Sequence, residues 1–303
     1  MPDTSSVRSG ENRWGRGRHS VVTRRRWTWP PPPTNPDRRV RRVALWTYSL
    51  RCPSKWLTQG IVMNAEQLTA ALDAALADRQ LLDHPFYLRW EAGKLEPGEI
   101  GAYAAQYRYF ETALPSLLRG LLSRLDPGPA TDLVLQNLAD EEANPEPHIV
   151  AFARFADAVG AGHAPATPAT DRLLDTYRSL SVSSGAEGLA AVVAYEMQAP
   201  AIAASKANGL RRHYGVDEHG TYFWDIHATM DLDHARWGIE ALVALDVPAS
   251  RVTSAARAAA DAWWGFLDDR GSVAALASSG HMDGSPHTLG RDRLSAASEL
   301  LPN

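Results

Sequence analysis

Residues 221–234 read TYFWDIHATMDLDH, and this stretch sets the expectation for the whole chain. Asp231 follows His227 by four residues and His234 follows Asp231 by three, so the three side chains form one stripe along a single face of an α-helix. Large apolar residues, among them Phe223 and Trp224, surround the stripe, so it is expected to face a core rather than solvent. Ionisable groups on an inward helix face indicate a ligand site, because helical bundles build metal sites in this way.

Three further ionisable residues lie on helix faces that ought to be buried. Glu141 and His148 are two helical turns apart and project the same way. Glu196 lies within an apolar run that extends from residue 189 to residue 197. The predicted metal ligands are three carboxylates and three imidazoles: Glu141, His148, Glu196, His227, Asp231 and His234.

The energetic cost of burial points to metal ions. Uncompensated burial would cost several kcal/mol for each polar group, whereas a bundle of this size has only about 5–15 kcal/mol of total stability. Two divalent ions would neutralise the cluster, with carboxylates bridging them and imidazoles in terminal positions. Oxygen and imidazole ligands without a thiolate suit iron or manganese better than zinc, so we expect Fe/Fe or Fe/Mn.

The rest of the folded part is predicted to be all-α. From residue 67 to residue 270, apolar residues recur at three- and four-residue spacing, and no strand-like alternation is present. This pattern favours a helical bundle. Breaks at Pro- and Gly-rich clusters place the helices near 65–80, 84–93, 97–125, 130–160, 168–181, 185–211, 221–246 and 249–268.

The first 62 residues differ from the remainder. They carry 12 Arg and one Lys against three acidic residues, and they show no sustained apolar period. We interpret residues 1–62 as a disordered extension, 63–270 as the single folded domain and 271–303 as a disordered tail. A helix start directly after Met63 suggests that translation begins there. A nucleic-acid-binding arm and a secretion signal are weaker interpretations of the extension.

Composition excludes several classes of protein. No apolar run reaches about 18 residues, so no membrane-spanning helix is expected. The single cysteine, Cys52, lies in the extension, which excludes a disulfide framework or a Cys-ligated site in the folded part. The folded part is acidic, which argues against a nucleic-acid partner there. A cytoplasmic location is expected.

The six predicted ligands resemble those of the haem-oxygenase-like dimetal oxidases. That family has Glu-x6-His, then an isolated Glu, then His-x3-Asp-x2-His, and the same motifs occur here in the same order. The resemblance covers about residues 64–268. It implies a haem-oxygenase-like (TenA/PqqC-like) bundle that forms a homodimer, binds two metal ions and activates O2 with electrons from an external reductant.

Within that family the chain is most similar to the p-aminobenzoate synthases related to the Chlamydia protein associating with death domains. The similarity rests on HPFY (84–87), AYAAQY (102–107) and YEMQAP (195–200), the last followed by Lys206. It implies a single-turnover enzyme that is its own substrate and makes p-aminobenzoate for folate. Tyr87 would give up its ring and Lys206 would supply the amine.

The residues alone support these roles less directly. Tyr87 would by default be a core aromatic, and Lys206 a surface residue whose stem packs on apolar neighbours. Lys206 lies roughly 15 Å beyond Glu196 along a straight helix, so only a bend, such as one at Pro200, brings its amine toward the metals. Three further tyrosines are interpreted as packing residues or radical relays: Tyr103, Tyr107 and Tyr195.

Two other functions stay open at this point. The first is a multiple-turnover oxidase that acts on an amino acid, a fatty acid or another small molecule. The second is a non-catalytic helical adaptor that binds a partner helix and retains the ligand residues as a relic.

The sequence departs from the family in one short segment. Pro145 and Pro147 lie between Glu141 and His148, so the helix there should be interrupted.

Overall fold

The computed structural model describes residues 63–279, and in that range the chain forms α-helices, one short 3-10 helix and no β-strand. The all-α prediction is therefore confirmed. Residues 1–62 and 280–303 lie outside the described part of the chain. The predictions about the extension, Cys52 and the end of the tail thus concern residues that are not described.

The helices follow one another closely along the chain. The 3-10 helix spans Leu81–Asp83, between the first two α-helices. The α-helices are α1 (Ala65–Ala75), α2 (Pro85–Glu91), α3 (Pro97–Leu122), α4 (Pro129–Ala143), α5 (His148–Ala158), α6 (Pro168–Ser183), α7 (Gly185–Glu196), α8 (Ala199–Tyr214), α9 (Glu218–Ala244) and α10 (Ala249–Ser279).

Local sequence explains where the helices begin and end. Asn64 caps α1 by accepting a hydrogen bond from the Gln67 amide, while the Gln67 side chain accepts one from the Asn64 amide. Four helices, α2, α3, α4 and α6, begin with a proline, whose missing N–H has no helical partner at that position. Gly215 caps the C-terminus of helix α8 in the left-handed conformation, with φ of 66°.

The largest differences from the predicted helix boundaries concern three helices. The predicted helix 130–160 is two helices, α4 and α5, because the prolines after Glu141 interrupt it as expected. The predicted helix 185–211 ends at Glu196, and Pro200 lies in the first turn of α8 rather than in mid-helix. Helix α10 continues past Gly271 to Ser279, since AALASS (274–279) contains strong helix formers.

The centre of the bundle is α7, which is buried around almost its whole circumference. It packs against α6, α9 and α10, while α9 also packs against α4, α5 and α8. This arrangement places all the helices that carry predicted ligands around α9. Among residues 63–279, no helix combines the length and apolar character that a membrane span requires.

Candidate metal centre and the adjacent tyrosine–lysine cluster

The structure brings the six predicted ligands into one buried region. Each of them is at most 9% exposed. They come from four helices: α4, the first residue of α5, the last residue of α7, and one face of α9. The prediction that these ionisable side chains face the core is thus confirmed by their burial.

Glu141 lies between two groups of possible ligands. Its Oε2 is 2.8 Å from Nδ1 of His148, and the His148 and His227 ring centres are 4.5 Å apart. Its Oε1 is 4.0 Å from Nδ1 of His234, which in turn is 3.4 Å from Oδ1 of Asp231. With one oxygen toward each group, Glu141 would contribute a ligand to either group when metal ions are bound.

Hydrogen bonds to neighbouring groups orient the histidines of α9. His227 donates from Nδ1 to the Phe223 carbonyl oxygen at 2.7 Å, which leaves Nε2 for a ligand. His234 donates from Nε2 to Oδ2 of Asp140 at 3.2 Å, which leaves Nδ1 for a ligand. Such bonds to the other ring nitrogen are typical of metal-binding histidines.

Unpaired buried atoms support the fit of metal ions to this cluster. Oε1 of Glu196 accepts a hydrogen bond from Nδ2 of Asn137 at 2.7 Å, whereas Oε2 of Glu196 has no partner. Nδ1 of His234 likewise makes no hydrogen bond, although Oδ1 of Asp231 lies 3.4 Å from it. Buried polar atoms are seldom left unpaired, because the loss of hydration is costly. Metal ions would coordinate both atoms and remove that cost.

A seventh residue, Glu111 of α3, was missed by the sequence analysis. One ligand atom from each of Glu111, Glu141, His148 and His227 can be chosen so that all four lie within 4.8 Å of one another. Glu111 is only 4% exposed. The available signal was its position four residues after Tyr107 on the apolar face of α3, the same kind of signal that identified the other ligands.

The carboxylates have unusual electrostatic surroundings. Burial raises the pKa of Glu111 well above its usual value, and the neighbouring Glu141 and Asp231 raise it further. Burial also raises the pKa of Glu196 to about 7. Burial opposes the ionisation of Glu141 as well, but the hydrogen bond from His148 and the nearby histidine charges bring its pKa below the usual value. Four carboxylates in one buried cluster favour bound cations.

A cavity of about 380 Å³ adjoins the cluster. Glu111 and Glu141 line it together with residues of α3, of α5 and of the segment between α4 and α5. The cavity therefore reaches Glu111 and Glu141 at the edge of the candidate centre.

Tyr87, Tyr103 and Lys206 form a second buried cluster. The Tyr87 and Tyr103 hydroxyl oxygens are 2.9 Å apart, and Lys206 Nζ donates to the Tyr103 hydroxyl at 2.5 Å. Lys206 is 1% exposed, so its interpretation as a surface residue is wrong. The break between α7 and α8 explains the difference, because α8 packs against α2 and α9 and carries Lys206 into the core. Nearby, the Tyr107 and Tyr195 hydroxyls are 2.7 Å apart.

Burial sets the protonation of this second cluster. It lowers the pKa of Lys206 well below the usual value, with Glu111 acting in the opposite direction. It also raises the pKa of Tyr87 and of Tyr103 above the usual value. The lysine is therefore shifted toward the neutral amine, whose lone pair can act as a nucleophile, while the phenols keep their protons.

Comparison with known proteins adds an independent line of evidence. A family model described as "iron-containing redox enzyme" matches residues 101–265. The chain belongs to this family of iron-containing redox enzymes. Its membership confirms the predicted class, an oxygen-dependent oxidoreductase with a dinuclear metal centre, over a non-catalytic adaptor.

Individual relatives of this iron-containing redox enzyme are similar over most of their length. The 4-aminobenzoate synthase of Nitrosomonas europaea is 36% identical over 217 residues, which cover 65% of this chain and 88% of the relative. The 4-aminobenzoate synthase of Chlamydia pneumoniae is 32% identical over 205 residues, which cover 65% and 91%. The predicted homodimer and cytoplasmic location stay predictions.

A solved structure supports the fold. The TenA homologue of Pseudomonas syringae pv. tomato has a TM-score of 0.60 at 16% identity, covering 72% of this chain and all of that chain. The predicted haem-oxygenase-like, TenA-like bundle is thus confirmed.

Proposed function

We propose that this protein makes 4-aminobenzoate from its own Tyr87, with Lys206 as the amine donor, in a single-turnover reaction that consumes O2. The observation that carries the proposal is the position of Lys206 Nζ, 4.8 Å from the centre of the Tyr87 ring inside a fully buried cluster. Similarity to 4-aminobenzoate synthases at 32–36% identity supports the same product. That product would enter folate synthesis.

The atoms of tyrosine match those of the product. In tyrosine Cβ is para to the hydroxyl oxygen, just as the carboxyl carbon of 4-aminobenzoate is para to its nitrogen. The conversion therefore breaks the Cα–Cβ bond of Tyr87 and oxidises Cβ to a carboxylate. The Lys206 nitrogen replaces the phenol oxygen, which leaves as water, and the Cε–Nζ bond of Lys206 breaks as Cε is oxidised to an aldehyde. O2 is the oxidant. The oxidation of Tyr87 and Lys206 supplies part of the electrons that reduce O2, and an external reductant supplies the rest.

The buried Glu and His cluster would hold two metal ions, Fe/Fe or Fe/Mn, which supply the redox chemistry with O2 when bound. The six predicted residues and Glu111 provide the ligand set. The protein's own groups prepare the organic reactants. The Tyr103 hydroxyl lies between Tyr87 and Lys206, because it accepts a hydrogen bond from Lys206 Nζ and is hydrogen-bonded to the Tyr87 hydroxyl. It can therefore pass a proton between these two residues. The surrounding core excludes water from both.

Replacement of Tyr87 by Phe tests the proposal. We expect Y87F, loaded with iron or with iron and manganese and given O2 and a reductant, to form no 4-aminobenzoate while binding the same amount of metal as the wild type. The matched control is Y109F. Tyr109 is a tyrosine of α3 whose hydroxyl donates a hydrogen bond to the Ala164 carbonyl oxygen, outside the cluster of Tyr87, Tyr103 and Lys206. Mass spectrometry would measure the product and the peptide that contains residue 87.

Isotope labelling distinguishes a consumed side chain from an external substrate. Protein labelled with ring-13C tyrosine should release labelled 4-aminobenzoate, at most one per chain, in an unlabelled medium. Product formation by Y87F, or repeated turnover of an added small molecule, would instead favour the multiple-turnover oxidase.

A further inference from the structure

Four aromatic rings surround the amine of Lys206. Its Nζ is 4.8 Å from the ring centres of Tyr87 and Tyr103, 4.9 Å from that of Tyr107 and 3.9 Å from that of Trp224. The nearest ring is thus that of Trp224, to which the proposed function assigns no role. An aromatic face attracts the N–H bonds of an amine, and it attracts an ammonium group more strongly.

Trp224 is fixed in position by its own neighbours. It is 1% exposed, and its ring packs against Phe155 and Phe223 at centroid distances of 5.1 Å and 4.7 Å. It lies on α9 one helical turn before His227. The same helix therefore presents a ring to the amine and an imidazole to the candidate metal centre.

The choice of tryptophan is not explained by apolar packing alone. The indole Nε1 of Trp224 is buried and has no hydrogen-bond partner. An unpaired buried donor is destabilising, and a phenylalanine would fill apolar space without it. What tryptophan adds is the aromatic face with the strongest attraction for an amine or ammonium group.

We propose that Trp224 is a positioning residue that holds the Lys206 amine beside the Tyr87 ring. The inference rests on the proposed function, and it adds to it the residue that sets the distance between the two reactants. Trp224 is one face of an aromatic cage, defined as the rings of Tyr87, Tyr103, Tyr107 and Trp224. Without the indole the amine samples other positions in the cage, and nitrogen transfer slows.

The lysine content of the chain makes the test specific. The sequence contains three lysines, Lys55, Lys94 and Lys206, so ε-15N-lysine labels few sites. In labelled full-length enzyme, we expect W224F to lower the single-turnover rate of 15N-4-aminobenzoate formation about threefold and W224L about tenfold. Metal content should be unchanged, because Trp224 is not among the predicted ligands.

A spectroscopic readout separates this role from packing. In full-length protein loaded with Zn²⁺, which is diamagnetic and redox-inactive, nuclear Overhauser effects between the Lys206 Hε protons and the Tyr87 ring protons report the distance between the two reactants. These effects should weaken in W224F and weaken further in W224L. The control is F152L, because it removes a buried ring that packs on Tyr107 and Phe223. It should keep most of the effect.

The two proposals fail differently. Wild-type protein that forms no 15N-labelled product contradicts the proposed function, while the Overhauser effects still report where Trp224 holds the amine. If W224L keeps either the wild-type rate or the wild-type Overhauser effects, the positioning role of Trp224 is wrong, and the indole serves packing only.

Discussion

Lys206 carries a primary amine into a core that offers it the Tyr103 hydroxyl and four aromatic rings. No carboxylate is paired with it in an ion pair within the described residues, although the charge of Glu111 acts on it. A long, flexible cationic side chain is seldom buried this completely, because the charged form loses its hydration. The residue therefore sacrifices stability for a reactive position.

That loss of stability can be measured with Lys206→Met, which keeps the length of the side chain and removes the amine. We expect the unfolding free energy of the metal-free variant to exceed that of the metal-free wild type by about 1–3 kcal/mol at pH 7, so the variant is the more stable protein. Between the lowered pKa of the folded state and the ordinary value of 10.5, the unfolded chain binds more protons than the folded chain. Wild-type stability rises with pH across that window, so the advantage of methionine should shrink as pH approaches 10.5.

Urea unfolding from pH 6 to pH 10 is the measurement for this comparison. Lys94→Met is the control, because Lys94 is exposed and its replacement should leave the pH dependence unchanged. Equal pH slopes for K206M and the wild type would contradict the burial argument.

At the scale of helices, the contact between α7 and α9 sets the position of Glu196. Glu196 is the last residue of α7, and its partners His227, Asp231 and His234 lie along α9. The two helices approach closely at Gly238, where a Cβ would clash with Cγ2 of Val193 and lie 3.8 Å from Oε2 of Glu196. The absence of a side chain at residue 238 therefore allows Glu196 to reach the cluster.

Gly238→Ala tests this contact. The added methyl group clashes with Val193 in a packed core, so we expect a loss of about 1–3 kcal/mol in unfolding free energy. It should also displace Glu196 and reduce the bound metal below that of the wild type. Metal analysis and thermal unfolding would measure both effects.

The matched control is Gly265→Ala in α10, where a Cβ meets no atom within 4 Å. Alanine there should be neutral or stabilising by up to about 1 kcal/mol, because it favours the helix. Full metal binding by G238A would show that Glu196 does not depend on the close approach.

At the scale of the whole molecule, the bundle concentrates negative charge around one point. Glu111 of α3, Glu141 of α4, Glu196 of α7 and Asp231 of α9 all reach the same buried region. Divalent ions that bind only the folded state would stabilise the entire bundle through mass action. Glu141 has the most central position, since it contacts both groups of histidines.

When Mn²⁺ is added anaerobically, the protein should therefore bind about two ions per chain, and its melting temperature should rise. The expected gain is about 2.7 kcal/mol per site at one hundred times the dissociation constant. Glu141→Gln should lose both ions, whereas Glu142→Gln, which removes a carboxylate paired with Arg119 at the rim, should bind both. Elemental analysis would measure the number of bound ions, and two ions in E141Q would contradict the central role given to Glu141.

Helix existence and ligand spacing could be predicted because both depend on local geometry. His227, Asp231 and His234 share a face in any regular helix, and Pro145 and Pro147 interrupt a helix wherever they occur. The break at residues 197–198 was expected only as a bend, since a proline's effect depends on how the following helix packs. Glu111 was missed because no motif links it to residues that lie 30 or more positions away.

The sequence by itself determined an all-helical chain with six ligand-type residues on inward faces, and it supported membership of a dimetal oxidase family. Only the tertiary structure decided that Glu111 joins those residues, that Lys206 is buried and that Trp224 lies nearest to its amine. The physical reason is the range of the interactions. Periodicity within a helix fixes which residues share a face, whereas the packing of α2, α3, α8 and α9 fixes which faces meet.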